Sequence, residues 1–199
     1  MARLVLTVDV APKCSVRLCR SEVNRMTLPK KVESVGKVAA ETWFKRFTYV
    51  FLFNALLAAV WTIPVLVPGL NISKTIAGGS AGTWGFVGYI SFLVVGVGLM
   101  FVSGLAYYEI SKVTGGRPND KLAWAHLILL EAGTLVATAL LAVSGYQGGT
   151  MLLAKKPIPE IHESIVVYVV PISITIGMAL LGSLAGIVNM AMALRSGRK

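Results

Sequence analysis

The chain is poor in the side chains that do chemistry. Its 199 residues hold only nine Asp and Glu, two His and two Cys. No nucleophile elbow, Walker loop, H-E-x-x-H or dinucleotide fingerprint occurs in it, so catalysis within this chain has little to stand on. Cys14 and Cys19 are too few for a structural zinc site, which takes four ligands. On the orientation argued below they are free thiols in a reducing compartment. Asp9 interrupts the run Leu4 to Val10, so the N-terminus does not read as a signal peptide and the arm is expected to be retained. The basic residues form no patch interleaved with aromatics, which argues against nucleic acid as a partner.

What the chain has in quantity is apolar length. Four stretches, Phe47 to Val67, Trp84 to Ile110, Leu122 to Tyr146 and Ile165 to Leu194, are each long enough to cross a hydrocarbon layer of about 30 Å at about 1.5 Å per residue. The expected fold is all-α, a polytopic membrane protein of four transmembrane helices. The 19 Lys and Arg are distributed unevenly around these stretches: sixteen fall in residues 1–46, 111–121 and the C-terminal tail, and three in 68–83 and 147–164. Short-loop Lys and Arg remain cytoplasmic, so both termini are expected inside an integral cell membrane.

The organisation expected is a cytoplasmic basic arm over 1–46 followed by a four-helix transmembrane domain over 47–199. Residues 4–10 are β-branched with weak alternation and predict a short strand. After Pro29, Val32, Val35, Val38 or Ala39, and Trp43 recur at helical spacing among five basic residues. That pattern predicts an interfacial amphipathic helix meeting anionic lipid headgroups before turning into the first span. Residues 73–82 are Gly- and Ser-rich and predict a mobile loop, and 147–164 predict a longer outer loop. Asp120 is expected to cap the third span, Pro171 to bend the fourth, and Tyr107, Tyr108 and Trp124 to form an inner aromatic belt.

Gly96 and Gly104 in the second span and the Gly182-x-x-x-Gly186 pair in the fourth are candidate packing positions, because small residues let helix backbones approach in lipid. They serve either this bundle or a different subunit. Ionisable groups inside a membrane are costly and point to function. Glu131 is the outstanding one, eight residues or about 12 Å in from Ala123. By the same arithmetic Asn54 lies about 10 Å in from Phe47, and Ser103 and Asn189 about 9 Å in from Glu109 and Arg195. These four residues predict a polar layer in the inner half of the bundle, with Glu131 protonated or hydrogen-bonded by the amides of Asn54 and Asn189. The layer reads as interhelical glue, as a proton- or quinone-related site, or as a contact with a neighbouring subunit.

His126 and His162 sit at opposite ends of the third span, about 30 Å of helix apart, so one chain cannot place both on one iron. His126 alone could serve an intersubunit cofactor, against the simpler reading of an interfacial histidine with a wet edge. No metal or cofactor is expected.

The run Leu122-Ala123-Trp124-Ala125-His126-Leu127 through Glu131-Ala132-Gly133, ending in Ser144-Gly145-Tyr146-Gln147-Gly148-Gly149, resembles helices of haem-copper oxidase subunit I and its small relatives. The likeness covers about one helix in four. The paired and further helical His of that family are absent, so its cofactors do not carry over. The resemblance implies an accessory subunit of a respiratory membrane complex. The sequence reading is therefore a non-catalytic subunit among other integral-membrane subunits, in a respiratory oxidase or other electron-transfer assembly. The alternatives are a small transporter using Glu131 and a haem-binding electron carrier.

Overall fold

The computed structural model describes residues 30–77 and 79–196, with side chains from Glu41 onward. The strand expected over 4–10 and both cysteines lie outside the described residues. The chain divides into two compact units, 1–35 and 36–199. Of the first, only the opening residues of a helix are described, and the architecture below is that of the second.

Every described element is helical: α1 (Lys30–Leu66), α2 (Ile72–Ala77), α3 (Thr83–Ser91), a π-helical segment (Phe92–Leu99), α4 (Met100–Thr114), α5 (Asp120–Leu153), α6 (Ile158–Val166) and α7 (Val169–Ser196), with 3-10 turns at Pro68–Leu70 and Ser80–Gly82. Four helices are long and apolar enough to cross a membrane: Glu41–Leu66, Ser80–Thr114, Asp120–Leu153 and Val169–Ser196. The second comprises a 3-10 turn, α3, the π segment and α4 in one continuous rod.

α5 is the central helix. α1 reaches it through Trp43, whose indole donates to Asp120, and α4 through Tyr107 and Ser103 at His126. α7 lies along it at Gly133, where an added Cβ would stand 2.6 Å from Thr175 O and Ala179 N, and at Gly182, where one would stand 2.5 Å from Leu130 N. α3 crosses it where Gly85 and Gly145 bring the two backbones together and where Gly88 faces Leu141 and Thr138. In lipid, apolar burial drives helices together far less than it does in water, so van der Waals contact between close backbones carries much of the association. All four expected packing glycines are buried: Gly96, Gly104, Gly182 and Gly186. The glycines of the third span, Gly133, Gly145, Gly148 and Gly149, are equally closely packed and were not singled out by the sequence.

Trp43, Phe47, Met100, Tyr107, Ala123, Leu127 and Leu130 form the buried core cluster. It lies toward the end of the bundle where α5 begins. α4 ends and α7 ends at this same end, because Asn189 bonds the backbone of Asn119 and Gly116 abuts the backbone of Ala193.

Several expectations are corrected. α1 passes through residue 46 without interruption. The loop over 73–82 is folded: α2 and a 3-10 turn cover most of it, and Thr75 is buried with both its N–H and its hydroxyl donating to Asn71 O at 2.9 Å. The third span continues past Tyr146 to Leu153, since Gly148 and Gly149 are where Ala81, Thr75 and Gly82 dock. The outer loop is then a short turn followed by α6. Asn119, not Asp120, caps α5, its side chain accepting from Lys121 N and Leu122 N. Pro171 falls in the first turn of a new helix, after a break at Val167 and Tyr168. The break falls at Val167, the residue four before Pro171 whose carbonyl the proline leaves without a donor, so the helix is interrupted there instead of bent. Tyr107 is buried rather than part of a belt.

Candidate functional site

The four residues of the expected polar layer divide into two groups, both centred on α5. The first is built on His126. Its Nδ1 lies 3.2 Å from the Tyr107 hydroxyl and its Nε2 3.5 Å from Ser103 Oγ. The Asn189 amide donates to the Tyr107 hydroxyl at 3.2 Å and to Asn119 O at 3.0 Å, while its oxygen accepts from Asn119 N at 2.7 Å. Ser103, Tyr107, His126 and Asn189 are all buried. Gly186 makes the room: a Cβ there would run into the imidazole Nδ1 and lie 2.5 Å from Cε1. The ring also packs against Phe47 at 5.1 Å between centroids. His126 is thus an enclosed hub, not a wet interfacial residue, and both of its ring nitrogens already have neighbours in this chain.

This hub does the work of glue. Every polar atom of the Asn189 side chain is engaged, and it ties α7 to α4 and to the turn before α5. Tyr107 escaped the sequence reading because it was assigned to a belt. Its position one turn from Ser103, and that of Gly186 one turn from Asn189, place each pair on a common helix face, and that spacing was the available signal.

The second group is Asn54, Glu131 and Thr134, assembled against Gly96 of the π segment. Asn54 Nδ2 donates to Gly96 O at 2.7 Å and to Glu131 Oε2 at 2.9 Å. Those two bonds use both hydrogens of the amide. Thr134, one turn along α5 from Glu131, brings its methyl group to the same place: a Cβ on Gly96 would stand 3.5 Å from Thr134 Cγ2. Asn54 is wholly buried, Thr134 is buried, and Glu131 retains partial exposure. Asn54 Oδ1, Glu131 Oε1 and Thr134 Oγ1 are buried with no hydrogen-bond partner. The expected Asn54 bond to Glu131 is present, whereas the Asn189 amide is committed to the other group.

The groups are separated along and around α5. Glu131 follows His126 by five positions, about 7.5 Å of rise and about 140° of rotation, so they face different neighbours. Toward the far end, a cavity of about 480 Å³ opens between α1, α2, α3 and α5, lined by Trp61, Phe86, Tyr89, Val143, Tyr146 and Gln147 among others. Its wall is closed by the Thr62–Tyr89 hydroxyl pair at 2.8 Å. Among the described residues no group of three or more His, Cys, Asp or Glu is positioned to hold a metal ion.

No family model matches the chain, and neither the curated proteins nor the solved structures contain a match to it.

Proposed function

We propose that the protein is a non-catalytic integral-membrane subunit of a larger assembly, of the respiratory oxidase or electron-transfer class that the likeness along α5 implies, with both termini cytoplasmic. The observation that carries the assembly reading is on α7. Gly182 and Gly186 are consumed by contact with α5, but a Cβ on Gly177 would meet nothing within 4 Å. Ser173, one turn earlier, is exposed, as are Ile174, Leu180, Leu181 and Leu184. A glycine weakens a helix by about 0.5–1 kcal/mol relative to alanine, and in a membrane it is offset where a neighbouring backbone comes close. No helix among the described residues of this chain comes close at Gly177, so a helix of another subunit is the natural neighbour.

The orientation rests on the sixteen-to-three division of basic residues. It is supported by α4, α5 and α7 meeting at one end of the bundle. The basic arm then faces anionic headgroups, each basic residue near the surface contributing about 1 kcal/mol.

Gentle purification from native membranes, followed by identification of what travels with the chain, tests the reading. Gly177→Leu should release those partners while the bundle stays folded; a chain that travels alone counts against it. Cys14 and Cys19 test the orientation directly: an impermeant thiol reagent should label them only after the membrane is opened. A visible spectrum of the purified protein separates the haem-carrier alternative, since His126 is held by Tyr107 and Ser103 and no Soret band is expected.

A further inference from the structure

We infer that Asn54, Glu131, Thr134 and the Gly96 carbonyl form a binding site for a single positive charge, a proton or a sodium-sized cation, within the bundle. The inference is independent of whether the chain assembles with partners.

The contrast between the two polar groups is the starting point. At the His126 hub the Asn189 side chain uses all its hydrogen-bonding atoms, as a structural network should. At Glu131 the network is incomplete. Four buried side-chain oxygens among the described residues lack a partner, and three of them belong to Asn54, Glu131 and Thr134. A buried polar group left unpaired is costly, so three of them on residues that pack together are not economical as glue. The amide orientation of Asn54 follows from its partners, because Gly96 O can only accept. The oxygen left unpartnered on Asn54 is therefore an acceptor, not a donor.

The charge of the missing partner follows from the same inventory. Glu131 Oε1 and Asn54 Oδ1 are acceptors, and Thr134 Oγ1 can serve as one. The groups set against Glu131 are the Asn54 amide on α1, the Gly96 carbonyl in the π segment and Thr134 on α5. None of them titrates, and no ion pair among the described residues involves Glu131. A bare carboxylate at this depth is costly. One positive charge neutralises it, whereas a divalent ion would leave a net charge in the bilayer. Oxygen ligands of this kind suit a proton or a hard cation and not a soft transition metal.

The backbone supports the assignment. Short π-helical stretches occur in helices at functional sites and rearrange the ordinary hydrogen-bond ladder. Here the π segment presents Gly96 O to Asn54, and the space a side chain at Gly96 would need is taken by the Phe92 ring, with the Thr134 methyl in ordinary contact. Glu131 keeps partial exposure on the bundle surface, which gives a lipid-soluble reagent access to the residue.

Dicyclohexylcarbodiimide tests the site on the purified full-length protein in detergent, because it reacts with a protonated carboxyl in an apolar setting to leave an acylurea that peptide mass analysis locates. The expected result is an adduct on Glu131 that declines as the buffer is made alkaline. Replacing choline chloride with sodium chloride then separates the two ligands: protection by sodium assigns a cation site, and indifference to sodium assigns a proton site. Glu131 that stays unmodified from mildly acidic to mildly alkaline buffer overturns the inference. Thr134→Val keeps the shape of the side chain and removes its oxygen. It should move the midpoint of labelling by about one pH unit, a tenfold change in proton affinity, or abolish sodium protection. A variant that labels as the parent does on both counts also overturns the site.

Discussion

Asn54 and Glu131, 77 positions apart in the chain, meet at 2.9 Å with the amide nitrogen of Asn54 donating to the carboxyl. That contact, together with the bond from the same nitrogen to Gly96, joins three of the four spans at one point.

Removing one partner of that contact should cost more than removing both. Asn54→Leu strands Gly96 O and Glu131 Oε2 without a donor and should lower stability by about 1–3 kcal/mol. Adding Glu131→Met should recover part of the loss. Unfolding in detergent of the two single variants and the double variant measures the coupling, and strict additivity would show that the contact contributes nothing.

Gly186 and Gly177, both on α7, should respond oppositely to alanine. Gly186→Ala drives a methyl group into the His126 imidazole, forces the ring off Tyr107, and should destabilise by about 1–3 kcal/mol as an overpacked core site does. Gly177→Ala meets open space and should be neutral or stabilising by up to about 1 kcal/mol through helix propensity. Thermal unfolding of the isolated chain distinguishes them.

Tyr107 bridges His126 and Asn189, so its hydroxyl should act jointly with both. Tyr107→Phe removes two hydrogen bonds, at about 0.5–1.5 kcal/mol each, while leaving the stack of its ring on Phe47 at 5.4 Å between centroids. Once Tyr107→Phe is present, Asn189→Leu should cost less than it does alone. Equal costs in the two backgrounds would show that the bridge is not formed.

Asp120 has two partners of unequal value. Its pair with Arg117, at 3.6 Å and exposed on both sides, should contribute no more than about 1 kcal/mol and fade with salt. Its bond to the Trp43 indole, at 2.9 Å and partly buried, ties α1 to α5. Asp120→Ala should therefore destabilise more than Arg117→Ala at high ionic strength. Indole fluorescence during unfolding can follow both variants.

Much of the architecture was legible before any coordinates. Run length against bilayer thickness gives four spans, and the structure has four helices of that kind. The errors fall at the ends of the spans. The Gly-containing stretches 73–82 and 147–149 read as loop because glycine is a poor helix former in isolation. In the fold Gly82, Gly148 and Gly149 are positions where α2, the 3-10 turn and α5 pack too closely for any side chain. Propensity gave way to packing there.

By itself the sequence determined the four long apolar runs and the asymmetry of positive charge, because both are read directly from residue order. Only the tertiary structure decided which polar groups meet. Partnership depends on rotation about each helix axis, at about 100° per residue, and on where the rods cross. The π segment over Phe92–Leu99 adds to this by shifting the facing of everything after it relative to an unbroken α-helix. One layer of four at equal depth thereby becomes two groups on different sides of α5, a closed one at His126 and an open one at Glu131.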